Sequence, residues 1–403
     1  MALVVPRWLV NSHDPRHFAA VIHSLADREL KRASARKASI HRADESRTHR
    51  ALHLPSTIGK DDNEVEHYSV AVAAHWDNLP SNRYSGVEPY DRTRVVVGCG
   101  DKVEPSGRYL NASWVRELYG GKWWIAQQAP LPGTIHAFLS VILQPVSHPP
   151  PDLHPRSSSA KFTDTSRIRT VVQLTKTYEG GTRKAHIYFP TEINESFVWE
   201  PEAGFIAPSY KVTLLSTKPI PEAHAVQSLV GIQPLSSNGN APVGDLVTFN
   251  HFLFSDWPDH GVPDKEYRAG LLNFVKLVDE VNRDISTQPE ASRAGLDPDP
   301  PIMVNCSAGV GRTGSFIALS SLLRDAGFLK PVASSIHDAS APLPQLKPSP
   351  LGPLPEKLKE DRVAHEVDSL REQRTSMVQR QDQVRLIYET LVMAYEVNSR
   401  SGS

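Results

Sequence analysis

At 403 residues the chain has room for one large domain or two ordinary ones, and its 44 Lys+Arg nearly cancel its 45 Asp+Glu. That balance excludes a global field that would draw nucleic acid or an anionic membrane, so any anion site has to be local. Two cysteines, Cys99 and Cys306, exclude a disulfide framework. The apolar start MALVVPRWLV is broken by Pro6 and Arg7 short of a signal core, and no run spans a bilayer; the sequence therefore predicts a soluble, cytoplasmic chain, with the nucleus left open.

Taken along the chain, residues 1–66 read as an N-terminal extension, partly helical or disordered. Helical spacing covers His17–Lys37, and the basic stretch Arg28–Arg50, set among Ala and Ser, predicts a solvated helix or extension in preference to a docking or anionic-surface element. Residues 67–398 read as one mixed α/β domain, broken by three segments rich in Pro, Ser, Gly and Ala near 146–167, 217–244 and 331–360. Many of the 33 prolines, which exceed the usual share of about 5%, gather there. These segments carry too few aromatics to order themselves and read as surface insertions, the third also as a Pro-rich docking ligand. Between them, RTVVQLT (169–175), AHIYF (185–189), YKVTLLS (210–216), LVTFNHFLF (246–254) and IMVN (302–305) predict strands. GLLNFVKLVDEV (270–281), SFIALSSLLRDAG (315–327) and QVRLIYETLVMAY (383–395) predict helices. In the last, Val384, Ile387, Tyr388, Leu391, Val392 and Tyr395 share one face.

One junction concentrates the chemistry, NCSAGVGRTGSF (305–316). A strand runs into a glycine-rich turn and a helix leaves it, which aims successive amides and a helix N-terminus at one point and makes an anion site. Gly309, Gly311 and Gly314 also fit the G-x-G-x-x-G turn of dinucleotide-binding proteins. The acid expected about 20 residues further on is missing, however, because Lys330–Ser335 is a loop without one. The other reading uses Cys306 and Arg312. A cysteine at the mouth of an anion nest is held as thiolate, its pKa drawn from about 8.5 to between roughly 3.5 and 7.5. Arg312 can return over the same loop and offer its planar fork to two phosphoryl oxygens, while Thr313 can offer its hydroxyl to the sulfur. Nucleophile and charge clamp then share the loop that binds the anion.

Cys306 to Gly314 resembles the signature loop of the cysteine-based protein tyrosine phosphatases, and the resemblance runs from about residue 76 to 396. It implies a single domain with a central mixed, twisted sheet flanked by helices, no metal or organic cofactor, and phosphotyrosine-containing proteins or peptides as partners. Ser307, Ala308, Gly309, Val310 and Gly311 would bind the substrate phosphate. Expelling an alkoxide or phenoxide also calls for a general acid on a second, movable segment. SDWPDHGVP (255–263) is similar to the family's lid, which makes Asp259 that acid and puts His260 at the substrate. NRYSGV (82–87), followed by Pro89-Tyr90-Asp91, resembles the substrate loop, in which Tyr84 would stack on the phosphotyrosine ring and set pocket depth, with Val87 beside it. REQRTSMVQ (371–379) resembles the segment leading to the water-positioning glutamine, giving Gln379 that role and Gln383 as its neighbour. Glu179 and Lys184, ahead of Tyr188-Phe189-Pro190, match the loop that braces the lid; Tyr109–Ser113 and Gln128–Pro132 resemble core and substrate-side motifs.

The departures from the family pattern are specific. Asn305 replaces the histidine before the cysteine, and an amide carries no charge, which predicts a less acidic Cys306 and slower chemistry. Gly86 replaces an aspartate that bonds the substrate backbone, which predicts weaker peptide selectivity with phosphate chemistry intact. Ala129 for Gly, Arg380 for Thr and Arg108 for an acid bear on the pocket's shape. These changes keep open a catalytically weak relative that binds phosphotyrosine. A phosphatase of broader specificity is disfavoured by the deep pocket Tyr84 implies, and a cysteine peptidase has no use for Arg312.

Overall fold

The computed structural model describes residues 5–52, 62–98, 107–144, 149, 167–236, 241–258, 261–288, 290–293, 296–333 and 346–401. Helices α1 (Arg7–Val10), α2 (Pro15–Leu52) and α3 (Asp62–His67) precede strands β1 (Arg94–Val97), β2 (Arg108–Arg116) and β3 (Trp123–Gln128). Helix α4 (Ile135–Leu143) leads to β4 (Thr170–Gln173) and the hairpin β5 (Tyr178–Glu179) and β6 (Thr182–Arg183). Strands β7 (Ser196–Trp199), β8 (Ser209–Ile220), β9 (Ala225–Leu235) and β10 (Val247–Phe254) follow. Helices α5 (Arg268–Arg283) and α6 (Glu290–Arg293), strand β11 (Ile302–Cys306), and helices α7 (Gly311–Asp325), α8 (Arg362–Gln373) and α9 (Gln381–Ser401) complete the order.

Among the described residues nine strands form one mixed sheet in the order β1-β2-β3-β11-β4-β10-β9-β8-β7. Strands β3, β11, β4 and β10 run parallel, and antiparallel meanders extend both sides. A parallel centre has to be covered on both faces. Alternation along β11 achieves this: Ile302, Val304 and Cys306 join the core built with α5, α7, α8 and α9, while Met303 joins the core under α4 with Phe138 and Ile142. Cys306 therefore ends a central strand at the carboxyl edge of the parallel strands, where such sheets leave a crevice for ligands.

This is the mixed sheet with flanking helices that the sequence implies. Helices expected at 270–281, 315–327 and 383–395 are α5, α7 and α9, and four of the five strand runs fall on β4, β8, β10 and β11. AHIYF is the exception. The amides of Lys184 and Ala185 both donate to Thr177 O, which closes the β5–β6 hairpin, and beyond it the chain turns Tyr188 into the core without a ladder.

Three organisational readings change. Residues 217–235 are not an insertion but the end of β8 and all of β9, where Val230 and Ile232 are fully buried and pair with Phe249 and Val247. Composition had hidden that alternation, since Pro, Ser and Gly interrupt it. The basic helix is solvated on one face only: Lys31, Lys37 and Arg42 are exposed, whereas Arg28, Arg32 and Arg36 are buried. Arg28 donates to Asp368 (2.9 Å), Arg32 to Asp368 (2.6 Å) and Glu372, and Arg36 to Glu29 (3.1 Å). The acids on α8 lie some 340 residues away, so local pattern could not reveal them. In the third segment, Gly352 O accepts from Arg28 (2.9 Å), and Leu354 and Leu358 enter the core, so residues 346–360 are docked. The first segment, apart from Pro149 and Arg167, lies outside the described residues, as do 334–345 of the third and Cys99.

Candidate active site

Strand β11 delivers Cys306 to a turn whose backbone is built around it. Gly309 N donates to Cys306 Sγ (3.3 Å), and Gly309 has φ +72° with Gln127 O only 1.9 Å from where a Cβ would stand, so no other residue fits. Burial alone would push the thiol up. The charge of Arg312, the Thr313 hydroxyl and amide and the Val310 amide outweigh it and hold Cys306 below its ordinary value. From outside, Arg374 takes the carbonyls of Gly309 (2.8 Å) and Ala308 (3.2 Å), turning two acceptors away from the anion site. Sequence reading passed over Arg374, although it lies inside the motif leading to Gln379.

Arg312, in the first turn of α7, is held in a fork by Glu179: both nitrogen–oxygen distances are 2.7 Å, and Leu174 O accepts a further bond at 3.0 Å. Glu179 is itself fixed by Thr175 Oγ1 (2.8 Å) and Lys176 N (3.1 Å). Burial would raise its pKa, but Arg312 and these donors hold it below the usual carboxylate value. Glu179, matched by sequence to a lid brace, thus orients the arginine.

Cys306 and Arg312 line a cavity of about 420 Å³, walled by Tyr84, Val87, Gln379 and Gln383. Ser307 donates to Lys184 O (2.8 Å), so the Tyr84 hydroxyl donates to Ser307 Oγ (2.8 Å) and fixes the ring at the mouth. Ala308, Val310 and Gly311 complete the lining from the loop side. The two glutamines differ. Gln379 is exposed at the rim, whereas Gln383 is buried against Gly311, with its Oε1 accepting from Arg380 N (3.1 Å). Asn305 makes one weak bond, Nδ2 to Cys306 O (3.3 Å), and its Oδ1 is buried without a partner. The largest forces that stabilise the thiolate come from Arg312, Thr313 and Val310, not from Asn305.

Asp259 and His260 lie outside the described residues. Their flanks form a neck: Trp257, nearly fully buried against Phe254, donates Nε1–H to Gly261 O (3.2 Å), and Asp256 pairs with His224 (2.8 Å). No described residue of this segment lines the cavity. The departures are scattered. Arg108 is buried among Ser140, His136 and Glu202, Ala129 N bonds Ser307 O (3.0 Å), and Arg380 reaches the cavity rim.

A family model described as protein-tyrosine phosphatase matches residues 78–148 and 163–332. The gap falls on the first expected insertion and the match stops beside the third, while 217–244 lies inside it, as β8 and β9 require. The chain is also similar to a phosphatidylinositol phosphatase PTPRQ of Homo sapiens, 29% identical over 298 residues, covering 74% of this chain and 10% of that protein. Receptor-type tyrosine-protein phosphatase eta of Mus musculus is 30% identical over 256 residues (64% of this chain, 16% of that protein), and that of Gallus gallus 33% over 248 (62% and 14%). The chain thus spans a small part of these relatives. No helix among the described residues is long and apolar enough to cross a membrane.

Proposed function

The chain belongs to the protein-tyrosine phosphatase family, and from that premise we propose that it hydrolyses phosphotyrosine in proteins or peptides through a cysteinyl-phosphate. The observation that carries this reading is the buried Cys306 thiol, held below its ordinary pKa, in a cavity it shares with Arg312 and Tyr84. In the first step Sγ bonds to phosphorus as the bond to the tyrosine oxygen breaks. Arg312 and the loop amides take up charge on the equatorial oxygens, and Asp259 gives its proton to the departing phenoxide. In the second, water held by Gln379, beside Gln383, loses a proton to Asp259 and attacks phosphorus. The S–P bond breaks, the sulfur leaves as thiolate with Thr313 donating to it, and phosphate departs.

Tyr84 supports phosphotyrosine over shorter side chains, because its fixed ring deepens the cavity above the sulfur. The neck closed by Trp257 and Gly261 supports a lid that carries Asp259 on a fixed base. A catalytic thiolate needs reducing surroundings, which supports the cytoplasm as the place of action. One second reading has an observation behind it: the unpartnered Oδ1 of Asn305 favours a phosphotyrosine-binding protein with weak turnover. Phosphate release from a phosphotyrosyl peptide, with acid quenching to trap the phosphocysteine, separates the two. Turnover by the wild type, lost in Cys306→Ser, supports hydrolysis; peptide binding with no release establishes the second reading.

A further inference from the structure

Beside the catalytic cavity, three basic side chains converge. Arg83 precedes Tyr84 in the substrate loop, and its guanidinium is seated on the carbonyls of Ala129 (3.2 Å) and Pro130 (3.1 Å). It also donates to His186 Nδ1 at 2.9 Å. Since arginine has no acceptor, Nδ1 is the acceptor and the proton of the neutral ring sits on Nε2; the ring also lies against the Pro130 carbonyl that Arg83 holds. Arg183 lies on β6 next to Lys184, which lines the cavity. Its guanidinium stacks 5.0 Å over the Tyr178 ring and bonds the Tyr178 hydroxyl, so an exposed arginine is held in place.

The charges do not cancel. Arg183 acts on both Arg83 and His186, and Arg83 acts on His186; together with burial they keep His186 below its ordinary pKa. The two nearest acids in sequence are occupied elsewhere, Glu179 in the fork with Arg312 and Glu88 on Gly86 N (2.8 Å). Like charges brought together at a pocket rim cost stability, and an anionic ligand offsets that cost.

We propose that Arg83, His186 and Arg183 form an anion subsite beside the catalytic cavity, which receives a second acidic or phosphorylated side chain flanking the phosphotyrosine of a peptide substrate. The subsite rests on the phosphatase reading above and deepens it. It lies one residue from the cavity wall on two separate segments, Tyr84 after Arg83 and Lys184 after Arg183, so an adjacent residue of the same peptide reaches it.

Three phosphotyrosyl peptides alike except for flanking alanine, glutamate or phosphotyrosine test this, with p-nitrophenyl phosphate as the control. Wild-type kcat/KM for the two anionic peptides is expected to exceed that for the alanine peptide by about three- to fivefold, the scale of exposed charge pairs. The preference should fall with added salt. Arg183→Glu should abolish it and leave the alanine peptide and the aryl phosphate unchanged. A carboxylate-only or phosphate-only preference identifies which anion the subsite takes. Equal kcat/KM for all three peptides, an equal loss on every substrate in Arg183→Glu, or a greater preference for phosphoinositide bisphosphate micelles than for any peptide would overturn the proposal. If the wild type hydrolyses none of the peptides, the phosphatase reading fails by itself; the subsite then stands or falls on the same ranking in peptide affinity for Cys306→Ser, read by fluorescence anisotropy.

Discussion

The signature loop is tied to the residue that follows β3 through Ala129 N and Ser307 O, to the glutamine segment through Val378 N and Val310 O, and to Arg374 through two carbonyls. The segment proposed to carry the general acid, by contrast, is fastened where it leaves the sheet, by the buried Trp257 and its bond to Gly261. The difference follows from what each has to do. Dipoles that stabilise a phosphoryl transition state work best when set in advance, without reorganisation at the moment of reaction. A proton donor that covers the substrate has to let it in first.

Four substitutions test that contrast, beginning with the lid. Asp259→Ala removes the proposed general acid and should lower kcat by about 10³, within the range for general acids, with little change in KM; stopped-flow and steady-state assays read it. On the fixed side, Arg32→Ala removes one cation from the buried cluster, leaving Asp368 to Arg28 alone and Glu372 to His67, Tyr68 and Ser349, and should cost about 3 kcal/mol in urea unfolding. Burial would raise the Glu372 pKa, but His67, Arg32 and Ser349 bring it to about 2 from 4.5. Its contribution to stability is therefore complete above pH 4.5 and is lost as pH falls toward 2, which a pH series of unfolding curves checks. Glu179→Gln loosens the fork on Arg312 and should lower kcat on the order of tenfold while leaving the fold's melting temperature near that of the wild type, a misplacement effect.

The smallest effect is expected at Gly86. Its surroundings are open, but φ is +82°, so an aspartate there gains a possible bond to substrate backbone and meets strain of about 1 kcal/mol. Gly86→Asp should change kcat/KM for a phosphopeptide by less than about threefold and leave an aryl phosphate untouched. That is a smaller gain than the missing aspartate alone suggests.

Much of this was legible in the sequence because the relevant signals are local. The strand, glycine turn and helix around Cys306 are contiguous, and the spacing from Cys306 to Arg312 is fixed within one loop. Tyr84, Val87 and Gln383 do meet that loop across the cavity, as the resemblance implies. What escaped depends on distant partners. Arg28 and Arg32 of α2 look solvated until α8 supplies their acids, the hold of Glu179 on Arg312 appears only once the chain folds, and β9 looks like a loop until β10 pairs with it. Arg374 escaped for the same reason, its acceptors being carbonyls some 65 residues earlier.

The pH dependence of Cys306 alkylation tests the account at its centre, because it reads the preset loop without requiring the lid or a substrate. Iodoacetate inactivation should titrate with a pKa clearly below the ordinary thiol value, since Arg312, Thr313 and the loop amides outweigh burial whatever residue 305 contributes. A thiol that titrates at or above its ordinary value would contradict it.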